Sequence, residues 1–310
     1  MPSHPPVYIL LLNYRGTDDT LACLDSLQRL EYPHYRIIVV DNASPDDSVI
    51  RLKARLSAMP GSFHLIESPQ NGGFSAGNNL GIQAALAEVG EGQPGFVWLL
   101  NNDTTVAPDA LTTLVEEAQT TGGIAGSLLL YPDGRYQQAG TRFQWWTGST
   151  RGYAESVVSD GMRVETLSGA SMLIPLEAFR VAGLLDESYF LYFEDGEASL
   201  RFARRGFPLT LCTRSRVYHK EGATTGRKSL MTQYYFHRNR LWVLFQFASP
   251  LQKISIGWYT AFRLLRSVVK SALSRNPERT ISTRVEWLAV SDFWKGISGP
   301  CPHNLNPLRP

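Results

Sequence analysis

Across the first 130 residues, short apolar runs alternate with helix-start signals, and this alternation leaves few folds open to the chain. Residues 7 to 12 are a short apolar run suited to a buried strand. Thr17 then caps a helix with Asp18 and Asp19 in its first turn, where acids face the positive end of the helix dipole. Leu21, Leu24 and Leu27 follow at intervals of three. Residues 36 to 40 form a second strand, β-branched at Ile37, Ile38, Val39 and Val40. Ser44-Pro45-Asp46-Asp47 supplies the cap, first-turn proline and acids of a second helix start. Residues 63 to 66 and 96 to 100 are further strands, with a glycine-rich turn and a helical stretch over 76 to 88 between them. The rhythm predicts an α/β fold, Rossmann-like, with a mainly parallel central sheet.

Beyond Tyr131 the pattern loosens into a Gly- and aromatic-rich stretch, 132 to 153, that reads as a hairpin or a substrate-side loop. Order returns over 167 to 174, and a helix is predicted over 195 to 205, ended by a left-handed Gly206. From Leu230 onward the runs are helical and aromatic-rich, so the chain divides into a first domain over 1–225 and a C-terminal helical region over 226–310.

The formal net charge of +2 hides a strong asymmetry. Residues 1 to 200 hold 11 Lys and Arg against 24 Asp and Glu, whereas residues 201 to 310 hold 19 against 4. An anionic partner is indicated for the second part, with nucleic acid, membrane phosphate and diphosphate-bearing substrates as candidates. Residues 230 to 275 mix Trp242, Phe245, Phe247, Trp258, Tyr259 and Phe262 with Arg263, Arg266 and Lys270, which suits helices lying in a membrane interface. Gln246, Pro250, Gln252, Lys253 and Arg263 interrupt every long apolar run, so peripheral contact is expected and no span. The alternative is a helical subdomain whose aromatics pack on the first domain. Cys23, Cys212 and Cys301 are too few and too scattered for a disulfide framework, and residues 1 to 12 do not make a signal peptide. A cytoplasmic location is expected, with contact at the cytoplasmic face of the membrane.

Several motifs can carry chemistry. Asp41-Asn42-Ala43-Ser44 lies where the second strand runs out, and ligands of open α/β sheets bind beyond the carboxyl ends of strands. An acid there can accept hydrogen bonds from a nucleobase or ribose, although the same residues also shape turns. In Asn71-Gly72-Gly73-Phe74-Ser75-Ala76-Gly77-Asn78-Asn79, a glycine-rich turn enters a helix, so backbone N–H groups can approach a diphosphate. Asn101-Asn102-Asp103 puts three oxygen-bearing side chains at the end of an apolar strand, where they can hold a divalent cation or cap the sheet edge. In Phe190-Leu191-Tyr192-Phe193-Glu194-Asp195, two acids follow an aromatic cluster. A carboxylate beside apolar rings is partly desolvated, which raises its proton affinity and suits it to accept a proton. Asp195 can also cap the helix. His219 precedes a loop with Thr224, Thr225, Arg227 and Lys228, which could close over phosphates.

Together these stretches, in this order over residues 7 to 226, resemble the inverting glycosyltransferases of family 2 with the A-type fold, in particular rhamnosyltransferase-like members. The resemblance implies transfer of a sugar from a nucleoside-diphosphate donor, dTDP- or UDP-linked, to a saccharide or lipid-linked saccharide acceptor, with no nucleic acid partner. It implies donor contacts from Asn13, Tyr14, Asp41, Asn71, Gly73, Gly77, Asn78, Asn101 and Asn102, and a Mg²⁺ or Mn²⁺ held by Asp103 and His219. Asp195 matches the general base, and Glu194 and Glu197 match residues that bind or orient the acceptor. Arg238-Asn239 resembles a further motif whose role stays open. Two departures stand out: Asn101 occupies a place that usually holds aspartate, leaving Asp103 as the only carboxylate of that motif, and Glu197 stands where many relatives have aspartate.

Rival readings differ in what they require. A dinucleotide oxidoreductase needs GxGxxG after the first strand, where this chain has Asn13-Tyr14-Arg15-Gly16. A sugar nucleotidyltransferase usually has an N-terminal glycine-rich loop, not found here, and releases pyrophosphate. A non-catalytic sugar- or lipid-binding module predicts that Asp195→Asn changes nothing.

Overall fold

The computed structural model of the chain describes residues 4–61, 63–220, 229–274 and 276–305. The strands are β1 (Val7–Asn13), β2 (Tyr35–Asp41), β3 (Phe63–Glu67), β4 (Phe96–Asn101), β5 (Thr104–Val106), β6 (Ile124–Leu130), β7 (Tyr136–Gln138), β8 (Thr141–Gln144), β9 (Ser149–Gly152), β10 (Met162–Arg163), β11 (Ser171–Pro175) and β12 (Leu209–His219). The helices are α1 (Thr17–Leu27), α2 (Ser48–Ala58), α3 (Gly73–Val89), α4 (Ala110–Thr121), α5 (Leu176–Ala182), α6 (Glu194–Arg204), α7 (Leu230–Phe247), α8 (Pro250–Ala272) and α9 (Pro277–Trp294).

The central sheet runs β10-β12-β6-β11-β4-β1-β2-β3. β3, β2, β1 and β4 are mutually parallel, as the alternation of strands and helices predicts. β11 enters antiparallel between β4 and β6, and β12 is parallel to β6, so the complete sheet is mixed. Successive side chains of a strand point to opposite faces, and here both faces are covered. Ile9, Leu11, Ile37, Val39, Trp98 and Leu100 join one buried cluster, with α1, α2 and α4. Leu10, Ile38, Val40, Val97 and Leu99 join a second, with α3, α5 and α6. That is why these strands are uninterrupted apolar runs.

Two helix starts differ from expectation. Thr17 is the first residue of α1 and not its cap, a place taken by Gly16. Ser44 starts no helix: α2 begins at Ser48, because the Ser44 hydroxyl is engaged by the Arg15 N–H at 3.0 Å and its own N–H by Asp41. Within 132–153 a two-stranded hairpin, β8–β9, stands apart from the main sheet. Helices α7 to α9 pack on this hairpin and on the segment before α6, in a cluster that joins Phe143 and Tyr189 to Leu241, Leu244, Ile256 and Phe293. The boundary drawn at residue 225, and the loop with Thr224, Thr225, Arg227 and Lys228, lie outside the described residues. Among the described residues no helix is long and apolar enough to cross a membrane.

Candidate active site

The parallel strands end together, with Asn13 beside Asp41 and Leu12 beside Asn101. Their last residues are tied by buried hydrogen bonds. Asn13 Nδ2 donates to Asp41 Oδ2 (2.8 Å), the Thr20 hydroxyl donates to Asn13 Oδ1 (2.8 Å), and Asn102 Nδ2 donates to the Thr20 oxygen (2.9 Å). The Ser44 N–H takes Asp41 Oδ1 at 2.8 Å. Asn42, which sequence reasoning did not select as a site residue, reaches from the end of β2 to Asn71 Oδ1 (3.1 Å) and the Gly73 carbonyl (3.0 Å). It thereby holds the glycine-rich turn that opens α3. Gly73 has φ of +83°, and a Cβ there would stand 2.1 Å from the Phe190 carbonyl oxygen, so this close approach requires glycine.

Over these strand ends lies a cleft of about 810 Å³, walled by Tyr14, Asn71, Gly73, Asn101, Asn102, Asp103, Glu194, Asp195 and His219 among others. The first turns of α7 close it with Thr232, Phe236 and His237. Five of the expected site residues lie behind its walls. Asn13 and Asp41 are buried in the strand-end network. Gly77 packs on Leu12, Asn78 Nδ2 donates to the Phe74 carbonyl within α3 (2.9 Å), and Glu197 is buried against Arg201.

Asp103 and His219 meet at 3.2 Å, Oδ1 to Nε2, with Asn101 Nδ2 3.4 Å from the same nitrogen. A register shift in β12 between Cys212 and Arg216 makes this meeting possible, since the last three residues then pair with β5 and set His219 opposite Thr104. Gln137, absent from the sequence-derived site, grips His219 twice. Its Oε1 lies 2.9 Å from Nδ1, and its Nε2 donates to the His219 carbonyl at 3.2 Å. An Nδ1–H donated to Gln137 leaves the Nε2 lone pair facing Asp103, the arrangement of an imidazole that ligates a metal. The described residues hold no group of three or more His, Cys, Asp or Glu suited to a metal. One carboxylate and one imidazole therefore fit a Mg²⁺ or Mn²⁺ shared with substrate phosphates and water, not one enclosed by protein ligands alone.

The acidic wall is built on an unusual backbone. Phe190, Tyr192 and Phe193 adopt φ of 61°, 67° and 71°, a left-handed region that bulky residues rarely enter. Asn239, fully buried in α7, holds them there: its Nδ2 lies 2.8, 2.8 and 2.9 Å from the carbonyl oxygens of Tyr189, Leu191 and Tyr192. Arg238 supports the amide by donating Nε–H to Asn239 Oδ1 at 2.9 Å, and donates Nη2–H to the Gly299 carbonyl at 2.7 Å. This is the structural role of the motif left open by the sequence.

α6 starts immediately after. Asp195 Oδ2 accepts the Gly169 N–H at 3.0 Å and Oδ1 accepts the Gly196 N–H at 2.7 Å; the N-cap position is Phe193, which offers no side-chain cap, and Asp195 takes up one first-turn N–H from inside the helix. Burial raises the pKa of Asp195 above the ordinary aspartate value, with the two N–H bonds opposing. Glu194 is raised further, by burial and then by the neighbouring Asp195, and its buried Oε2 has no hydrogen-bond partner among the described residues. Glu197 is held by Arg201 through Nε (2.8 Å) and Nη2 (2.9 Å). Arg201 also donates to the carbonyls of Ala182 and Leu184, which clamps α6 to the segment after α5. His237, on the α7 side, is pushed down to about 3 by burial and by Arg240 and Arg263, and so faces the cleft neutral.

A partly desolvated carboxylate, an oxygen- and nitrogen-bearing pair and a glycine-rich helix start on one cleft are the equipment for group transfer from a phosphorylated donor. The mannosyltransferase of Pyrobaculum calidifontis, solved with GDP-Man and Mn²⁺, superposes with a TM-score of 0.62 at 15% identity over 94% of this chain and 88% of that one. In sequence, the chain is 25% identical to the uncharacterized protein y4gI of Sinorhizobium fredii over 271 residues, 81% of this chain, and spans 29% of that protein's length. It is 24% identical to the N-acetylglucosaminyl-diphospho-decaprenol L-rhamnosyltransferase of Mycobacterium tuberculosis over 274 residues, 79% of this chain and 87% of that protein. Residues 8–179 match the family described as glycosyl transferase family 2, a stretch that contains β1, α3, β4 and the Asp103 turn, and on that match the chain belongs to glycosyl transferase family 2.

Proposed function

We propose that this protein transfers a sugar from a nucleoside-diphosphate donor to a hydroxyl of a saccharide or lipid-linked saccharide, with inversion at the anomeric carbon. The observation that carries the reading is the placement of Asp195 and the Asp103–His219 pair on the walls of one cleft beyond the sheet. The donor diphosphate lies along Asn71, Gly73, Asn101 and Asn102, beside Tyr14, with Asn13, Asp41, Gly77 and Asn78 shaping that wall from behind. Asp103 and His219 would hold the cation, and a Mg²⁺ or Mn²⁺ there would supply positive charge to offset the charge that develops on the diphosphate. Asp195 accepts the proton of the acceptor hydroxyl as its oxygen bonds to the anomeric carbon and the bond to the diphosphate oxygen breaks. Its raised proton affinity makes it the better base, and the N–H groups of Gly169 and Gly196 aim it. Glu194 and Glu197 orient the acceptor side, Glu197 by anchoring α6.

A deoxyhexose such as rhamnose, dTDP- or UDP-linked, is the donor we favour, supported by the mycobacterial relative's activity. The same relative's name, with its diphospho-decaprenol acceptor, supports a lipid-linked acceptor, and work at the cytoplasmic face of a membrane is part of the same proposal. Residues 1–225 then serve donor binding and catalysis, and 226–310 acceptor or membrane-surface contact. Calorimetric titration with UDP, dTDP, GDP and CDP, with and without Mn²⁺, tests the reading. Metal-dependent binding of one diphosphate, weakened in Asp103→Ala and retained in Asp195→Asn while turnover is lost, is the expected result. Failure of all four to bind overturns it.

A further inference from the structure

Helix α8 has two apolar faces, and the fold uses one. Ile256, Thr260 and Leu264 are buried against the rest of the molecule. Ile254, Trp258, Phe262, Leu265, Val269 and Leu273 are exposed and recur every three or four residues, which places them along a single stripe from one end of the helix to the other. Trp258 is 76% exposed and Leu273 83%. An apolar stripe of this length is costly in water and has no part in forming the core. Beside it, α9 exposes Trp287 and Trp294, which with Trp258 and Leu265 wall an apolar furrow of about 970 Å³ between the two helices.

The charge on this face is predominantly basic. α8 contains Lys253, Arg263, Arg266 and Lys270 and no acid, and Arg266 and Lys270 are exposed. Of the three acids on α9, Asp292 is buried on Tyr234 and His303, Glu286 is turned to Arg263 and His237, and Glu278 is exposed in the first turn, where the exposed Arg279 and Arg284 of the same helix outnumber it. Lys253 and Lys295 join the furrow walls. Tryptophans beside long basic side chains, around an aliphatic stripe, suit the layer where lipid headgroups meet acyl chains. A second copy of this face would offer mostly basic groups to Arg266 and Lys270, whereas an anionic surface complements them.

We propose that the α8–α9 face docks the protein on a bilayer rich in anionic lipid, with the exposed stripe inserted among the acyl chains and Arg266 and Lys270 at the phosphates. This rests on the membrane contact proposed above and deepens it by naming the surface and the lipid class. The hairpin β8–β9 connects that surface to the cleft. Phe143 of β8 lines the cleft, while Trp146 at the turn is exposed and its carbonyl accepts the Ser255 hydroxyl of α8 at 2.7 Å.

The test is co-sedimentation of the full chain with phosphatidylglycerol–phosphatidylcholine vesicles and with phosphatidylcholine alone, alongside sedimentation velocity without lipid. Binding is expected to the anionic vesicles and to weaken with salt. A basic residue near an anionic surface contributes about fivefold in partitioning, so R266Q/K270Q should weaken binding about 25-fold. Trp258→Ser with Phe262→Ser should weaken it by about tenfold or more, through the lost apolar insertion. Both variants should keep wild-type binding of the nucleoside diphosphate, which shows that the fold and the cleft are intact. No binding of wild type to anionic vesicles overturns the proposal, as does a concentration-dependent dimer that Trp258→Ser dissolves. Vesicle binding without binding of any nucleoside diphosphate would instead leave the docking standing and sink the sugar-transfer reading.

Discussion

Replacing Asn239 by alanine removes the group that holds the 189–193 backbone in its left-handed course. Two N–H bonds of one amide are spread over three carbonyl oxygens, and the Tyr189 oxygen keeps a second donor in Arg238 at 3.5 Å. The substitution thus removes the Asn239 N–H from the carbonyls of Leu191 and Tyr192 and the acceptor of the Arg238 Nε–H. A fully buried group that loses its partner in this way costs about 1–3 kcal/mol; the Arg238 Nε–H is buried and the two carbonyls are half-buried and open to partial refilling by water, which brings the expected loss to about 2–5 kcal/mol. That is a large share of a total stability of about 5–15 kcal/mol. Left-handed backbone at Phe190, Tyr192 and Phe193 itself costs about 1–3 kcal/mol per residue, so the segment relaxes once its clamp is gone. Asp195 lies two residues beyond Phe193, and a shift of about 1 Å in a reacting group costs about 100-fold in rate. Urea unfolding should show the stability loss, calorimetry should show unchanged nucleoside-diphosphate affinity, and nucleoside-diphosphate release from the sugar donor should fall about 100-fold. Asn239→Asp, which can accept from Arg238 but offers no N–H, should behave like alanine. Wild-type turnover in a destabilised Asn239→Ala would refute the positioning argument, and wild-type stability would refute the energetics.

Other outcomes follow from the same geometry. Gln137→Leu removes the partner of His219 Nδ1 and should weaken Mn²⁺-dependent nucleoside-diphosphate binding by about 10–100-fold, leaving metal-free binding unchanged. Gly77→Ala gains about 0.5–1 kcal/mol of helix propensity. Its Cβ would, however, stand 2.4 Å from Leu12 Cδ1 in a packed layer, where overpacking costs about 1–3 kcal/mol, so net destabilisation in urea is expected. Glu194→Gln should stabilise the protein at neutral pH. The raised folded-state pKa means that Glu194 contributes fully below its unfolded value of about 4.3, and that this contribution is lost as pH rises through the folded value. The variant lacks that dependence, and unfolding measured at about pH 5 and about pH 8 should show a smaller difference than in wild type. Glu197→Ala removes the carboxylate from Arg201, which keeps the carbonyls of Ala182, Gly183 and Leu184, and should cost about 1.5–3 kcal/mol, read from the urea midpoint.

The parallel half of the sheet was legible in the sequence because strands covered on both faces must be apolar throughout, as residues 7–12 and 37–40 are. The polar residues ending those runs marked the cleft edge because the apolar layers stop there: Asn13 and Asp41 pair with each other in a buried network, and Asn101-Asn102-Asp103 line the cleft in front of it. Capping residues misled at Ser44, where a hydroxyl that ordinarily starts a helix is drawn instead to the Arg15 N–H from another loop. Nothing local in residues 132–153 reveals that Gln137 sets the His219 ring, or that Phe143 lines the cleft. Nor does the α7 sequence state that Asn239 binds carbonyls about fifty residues earlier in the chain. Hydrophobic periodicity and turn chemistry act between neighbours and can be read along the chain. The register shift in β12, the left-handed turn before Asp195 and the exposed second face of α8 arise between segments far apart in sequence, and only tertiary packing decides them.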